Sequence, residues 1–221
     1  GIYTTGDLII NDIDISTTNT NAIYINSGTT TINGGSYKSE KGTTINNNKG
    51  TVKINAGEIT GSVGMYTKGT TIINDVNINT TSTGLRNQGT CDINGGSITS
   101  ANNEGIVHYD SYTTTNINGG TIIGTTGVST WGYSTGTINI GKEGTEGPTI
   151  IGTKARGISS STDWTVTVNV NSGTITGVTA GIYNTDKLNV YGGTIKGTSG
   201  TGIEGKAVIE AGSIYGKKVS A

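Results

Sequence analysis

A unit of about 20 to 22 residues recurs along the whole of this sequence, and inside each unit apolar and polar residues alternate in three short stretches. A repeat of that length has to be read before any motif, because each unit alone is too small to bury an apolar face and must stack on its neighbours. A glycine, once an alanine, followed by an apolar residue opens the units: Gly1-Ile2, Ala22-Ile23, Gly64-Met65, Gly84-Leu85, Gly105-Ile106, Gly127-Val128, Gly157-Ile158, Gly181-Ile182 and Gly202-Ile203. Gly42-Thr43 fills the remaining place, and the units from Gly127 and Gly157 are longer than the rest. About ten units occupy the chain as a single domain, 1–221, with no linker.

Period-two alternation means strands with one buried face. Aligned, the units form columns. The second strand ends in Ile10, Ile32, Ile54, Ile73, Ile93, Ile117, Ile140, Val170, Val190 and Ile209. The third strand contributes Ile15, Tyr37, Ile59, Ile78, Ile98, Ile122, Ile150, Ile175, Ile195 and Ile214. Like stacks on like when each coil lies on the previous one at the strand spacing of ~4.8 Å, so ten coils predict a rod roughly 48 Å long. The fold class predicted is all-β, a right-handed single-stranded parallel β-helix with three short strands per coil. The alternative is a hairpin meander, for which Asn33-Gly34, Asn94-Gly95 and Asn118-Gly119 are good turn signals. They fall once per unit at the same corner, which suits a coil better than an up-and-down sheet.

Composition agrees. Hydrophobic residues are 31% of the chain, enough for a thin core only, and Gly, Thr and Asn disfavour helix. A net charge of -1 with Arg86 and Arg156 as the only arginines offers no footprint for nucleic acid. One cysteine excludes an internal disulfide, and no apolar run approaches the ~20 residues of a membrane span. Gly1 stands inside a repeat, so the chain is expected to be a segment of a longer protein.

Units reading Gly-Ile-x-x, then Ile-x-Ile-Asn-Gly-Gly-x-Ile, resemble right-handed parallel β-helices of the pectin-lyase-like superfamily. In character they are closest to Thr/Gly/Asn-rich β-helix regions of microbial surface and adhesin-like proteins. The resemblance covers the whole chain and implies a fold more than a function, since that superfamily includes lyases, hydrolases, tailspikes, adhesins and stalks.

Several columns have chemistry. Asn11, Asn33, Asn55, Asn74, Asn94, Asn118 and Asn171 follow the second strand, interrupted by Gly141, Tyr191 and Glu210. Asn tolerates the left-handed backbone of a sharp corner, and its amide can bond the amides above and below, so a structural ladder is expected, with the glycines that follow supplying φ > 0. An outward threonine file (Thr29, Thr51, Thr70, Thr90, Thr114, Thr137, Thr167) suits an exposed strand; ice binding would need a second regular file, and Thr31, Lys53, Ile72, Asp92, Asn116, Asn139 and Asn169 break it. The first strand's outward file is Tyr3, Tyr24, Thr44, Tyr66, Arg86, Val107, Ser129, Ser159, Tyr183 and Glu204, and its inward neighbours include Thr4, Ile25, Ile45, Thr67, Asn87 and His108. His108 is expected to be a core histidine bonded to a nearby Asn or Thr.

Tyr109, Trp131, Tyr133 and Trp164 cluster in the middle and expanded units, with Asp110 and Asp163 beside them. Flat exposed rings stack on sugars and dominate binding hot spots, and loops on rigid scaffolds hold functional residues. This patch is the candidate ligand site, with a glycan or a cell-surface molecule as partner. Carboxylates scatter: Asp12 and Asp14, Asp75 above Asn55-Ala56, Glu143 and Glu146 in the long loop. They form no catalytic grouping or metal set, and no cofactor motif is present. The function expected is adhesin-like, extracellular or at a cell surface, with weak contacts multiplied by repetition. The alternatives are a polysaccharide lyase or hydrolase, an ice-binding face or a passive stalk. Open ends favour end-to-end self-association.

Overall fold

The computed structural model describes residues 1–161 and 165–217. It is a parallel solenoid of about ten turns, about 22 residues each, without helix among the described residues. Every strand pairing is parallel and joins a strand to its counterpart one coil on, as in Ile106↔Val128 and Ile117↔Ile140.

The register follows the apolar columns residue for residue. Ile73, Ile93 and Ile117 are consecutive partners, as are Ile78, Ile98 and Ile122. All six are fully buried. Tyr37 takes one place in the third-strand column, and its hydroxyl donates to the Gly34 carbonyl at 2.7 Å, which satisfies the only polar atom it brings inside. Asp75 lies over Ala56, as its spacing requires.

Packing explains why units open with glycine. A Cβ on Gly105 would stand 2.8 Å from Ile122 Cγ2 and 2.8 Å from the Gly127 carbonyl oxygen of the next coil. The glycine Cα faces inward, where the first strand runs against the third-strand isoleucine of its own coil.

One unit departs from the expected alignment. Ile23 pairs with Ile45, and Ile45 with Met65, so Thr44-Ile45 and not Gly42-Thr43 holds the opening place. The cause is a register shift between Ser39 and Thr43, where the corner is longer than in the next coil. Asn46 therefore replaces Thr44 in the outward file, and Asn47 replaces Ile45 in the inward one. Asn47 is fully buried and is satisfied by donating to Thr70 O at 3.0 Å and accepting from Gly50 N at 2.9 Å. In this part of the rod strands run through the corners, over Ser36–Asn47, Thr51–Thr67 and Thr70–Thr80.

The corner Asn ladder forms as expected. Nδ2 donates to the Oδ1 one coil back at Asn33→Asn11 (3.0 Å), Asn55→Asn33 (2.7 Å), Asn74→Asn55 (2.9 Å), Asn94→Asn74 (3.0 Å) and Asn118→Asn94 (2.9 Å). Asn171 donates instead to the Gly141 carbonyl at 3.3 Å, because no side chain is there to accept. The left-handed backbone falls on the glycines that follow, as expected: the ladder asparagines have negative φ, and the positive φ sits two residues on, at Gly35 (97°), Gly96 (75°) and Gly120 (81°). The second glycine makes the turn, which frees asparagine for hydrogen bonding alone.

A second ladder stands on the outward face of the second strand. Asn116 donates to Asp92 at 2.6 Å, Asn139 to Asn116 at 2.7 Å, Asn169 to Asn139 at 2.9 Å and Asn189 to Asn169 at 2.8 Å. All four amides point their N–H groups the same way, and the Asp92 carboxylate sits at the positive end of that row of dipoles. The file that breaks the threonine regularity is thus a hydrogen-bonded column in its own right.

Candidate functional site

The first-strand face is the irregular one. Tyr66, Arg86, Val107 and Ser129 are successive register partners in its outward file. Two long side chains are followed by two short ones, so the surface dips. One step further along the strand Tyr109 pairs with Trp131, and these rings rise beyond the dip. The result is a trough of about 300 Å3 lined by Tyr66, Arg86, Gln88, Val107, Tyr109 and Trp131. Tyr109 and Trp131 are 40% and 39% exposed, so each ring has one face packed and one open. The expanded coils do not bury them.

Arg86 spans the dip. Its guanidinium carbon is 5.6 Å from the Trp131 ring centroid, a cation–π geometry, and its Nε is buried without a hydrogen-bond partner. No carboxylate of a described residue lies within ion-pair distance of it. Gln88 is held by its Oε1, which accepts the Tyr66 hydroxyl, so its amide nitrogen remains to donate. The Lys68 ammonium stands 5.7 Å from the ring centroid of Tyr66, one of the lining residues. The other arginine, Arg156, stacks at 4.1 Å on Tyr183, a further member of the same outward file.

The corner beyond Tyr109 projects from the rod. Asp110 and Tyr112 have φ of 82° and 61°, the only non-glycine positive values among the described residues. Each costs on the order of 1–3 kcal/mol and persists only where neighbours enforce it. Here Ser111 N donates to Asp110 Oδ1 at 2.8 Å, Tyr112 N donates to Thr135 Oγ1 at 2.8 Å, and Thr113 Oγ1 donates to Tyr109 O at 2.9 Å. Tyr112 is 92% exposed at the tip, and Tyr133, also exposed, lies on the adjoining coil.

His108 supports this corner from inside. It is fully buried, with Nδ1 2.9 Å from Thr115 Oγ1 and Nε2 3.4 Å from the Thr135 carbonyl. Asn87 Nδ2 donates to the same Thr115 oxygen at 2.9 Å, so the network assigns the Thr115 proton to Nδ1 and the imidazole proton to Nε2. Burial lowers the His108 pKa to about 4, with the Thr135 hydrogen bond opposing the shift. The ring is a neutral strut, bonded to threonine as its column implies. Cys91 is buried in the second-strand column, and burial pushes its thiol pKa up.

Of the residues singled out in the sequence, Tyr109 and Trp131 come together in the trough. Tyr133 and Asp110 belong to the adjoining corner, where Asp110 closes its own turn. Asp163 and Trp164 lie outside the described residues. Tyr66, Arg86 and Gln88 are the lining residues that the aromatic cluster left out. Their signal was present in the outward file, where Val107 and Ser129 are short after Tyr66 and Arg86.

On the second-strand wall Asp92 and Glu143 line a groove with Asn116, Asn139 and Lys142. No three His, Cys, Asp or Glu residues among those described are placed to hold a metal ion. Fold and trough define a parallel β-solenoid rod with an aromatic, cationic dip on one wall. No protein-family model, curated protein or solved structure matches this chain.

Proposed function

We propose that this chain is a rigid, adhesin-like rod, secreted or displayed at a cell surface, that binds a glycan in the first-strand trough. In this reading it is a right-handed β-helix of the pectin-lyase-like kind put to mechanical display rather than catalysis. The trough itself supports the proposal. Two half-exposed rings, a guanidinium and an amide converge on a dip floored by the fully buried Val107. The C–H face of a pyranose packs on the negative face of an aromatic ring, while its hydroxyls need donors and acceptors at the rim. Tyr109 and Trp131 supply the first, Arg86 and Gln88 the second. Among the described residues the lining holds rings, a guanidinium and an amide and no carboxylate, which suits binding.

Weak single contacts suit a rod that presents many copies at a surface, where avidity multiplies them. Screening the full chain on a glycan array tests the proposal, with Trp131→Ala as the matched control. The parent should bind a defined set of glycans and the variant at least ~10-fold more weakly, the loss of about 1.4 kcal/mol, at unchanged melting temperature. Equal binding by parent and variant would remove the trough from the function.

A further inference from the structure

We infer that the glycan taken by this trough bears a sulfate or phosphate ester, held by Arg86 and Gln88 while Tyr109 and Trp131 hold the sugar ring; this rests on the glycan reading and narrows it. The first argument is charge. Arg86 lines the trough, the Lys68 ammonium stands by the ring of Tyr66, and no carboxylate of a described residue lines it. The chain as a whole carries a net charge of -1, so this positive character is local. A sugar lying over the trough takes water from a guanidinium that has no carboxylate of a described residue within ion-pair distance, and a neutral sugar repays that loss poorly. An anionic substituent repays it with charge-assisted hydrogen bonds.

The second argument is the number and direction of donors. One face of the Arg86 guanidinium lies toward Trp131, and Nε is buried without a partner. The terminal nitrogens are left to meet a ligand. Gln88 adds amide donors two residues further along the same coil, locked by the Tyr66 hydroxyl on Oε1. A planar carboxylate offers two oxygens and is satisfied by the arginine fork alone. A tetrahedral ester offers three terminal oxygens in different directions, which matches a fork plus a separate amide. Both ester types share this chemistry.

Binding of the full chain to dextran sulfate and dextran, to phosphorylated mannan and mannan, and to polygalacturonate as the carboxylate control tests the inference. At least one esterified polymer should bind ~10-fold or more tightly than its neutral parent and than polygalacturonate. Arg86→Gln should abolish that preference, lowering the affinity for the esterified polymer by ~10-fold or more beyond whatever it takes from the neutral parent. Gln88→Ala should reduce the preference, and Lys154→Gln, distant from the trough, should keep it. Circular dichroism and melting temperature establish that each variant is folded. Which ester wins identifies the source. If esterified and neutral polymers bind alike, if polygalacturonate binds as well as the esters, or if the preference survives Arg86→Gln, the inference is wrong while the glycan reading stands. If no polymer or array glycan binds, the glycan reading fails and takes the inference with it.

Discussion

Two walls of the same rod behave differently. On the second-strand wall the inward column that ends each strand is apolar from Ile10 to Ile209, the one two residues earlier mixes Thr30, Thr71 and Thr115 with apolar residues, and the outward file between Asp92 and Asn189 is an unbroken run of side-chain hydrogen bonds. On the first-strand wall the inward column turns polar after its apolar opening residue, through Asn47, Thr67, Asn87, His108 and Thr130, and the outward file changes size and charge at nearly every coil. On the regular wall the outward amides from Asn116 to Asn189 bond to one another rather than to a ligand. The irregular wall has a trough, a stacked arginine without a carboxylate and a corner with strained backbone. Departure from the local rule marks the place where a fold spends stability on something other than itself.

The largest test of the regular wall is Ile93→Asp. Ile93 is fully buried between Ile73 and Ile117, so the carboxylate would stand unpaired in the thin core. Urea denaturation should show a loss on the order of 4 kcal/mol, with the middle coils exchanging their amides first. A loss below about 1 kcal/mol would mean the stack relaxes around a charge, which a close-packed column does not do.

On the irregular wall the matching test is acid. His108 titrates near 4 in the folded chain and near 6.5 unfolded, so the unfolded state binds the extra proton between those values. Its neutral form stabilises fully above about pH 6.5, and that stability falls as pH drops toward 4, by up to about 3 kcal/mol. Carboxylates titrate in the lower part of the same window, so the difference between parent and His108→Gln isolates the ring. The variant should lose the extra slope, and identical slopes would show that His108 is not held neutral. Because His108 bonds the Thr135 carbonyl and Thr135 bonds Tyr112 N, the corner should loosen before the rest.

Asn139→Ala, with a smaller expected effect, removes two rungs of the second ladder. The cost should be about 1–2 kcal/mol, since the side chain is half-buried and water partly replaces the bonds. Removing Thr137 from the neighbouring file, which has no such ladder, should cost less.

Most of the fold was legible because a solenoid repeats its constraints. A column such as Ile78, Ile98 and Ile122 is specified many times over, so its register could be counted from the sequence. The misplacement at Gly42-Thr43 arose where a longer corner put a glycine one repeat from its neighbours without the packing role that Gly105 has. The corner was legible in both its parts, the asparagines as a ladder and the glycines after them as the positive-φ residues, because Asn-Gly-Gly recurs at the same place in the coil. The site was half legible. Tyr109 and Trp131 stand out as aromatics, but the trough depends on what is small between large residues. That Arg86 reaches across two coils to Trp131 is a fact of side-chain length that no spacing states.

Binding and stability measured on two double variants separate the walls most directly. Tyr109→Ala/Trp131→Ala should lose glycan binding by ~10-fold or more while its unfolding free energy falls by less than about 1 kcal/mol, the rings being half-exposed. Asn116→Ala/Asn139→Ala should lose about 2 kcal/mol of stability and keep the parent's affinity at temperatures where it is folded. If the ladder variant loses binding and the ring variant keeps it, recognition belongs to the regular wall and the division of labour between the two walls is wrong.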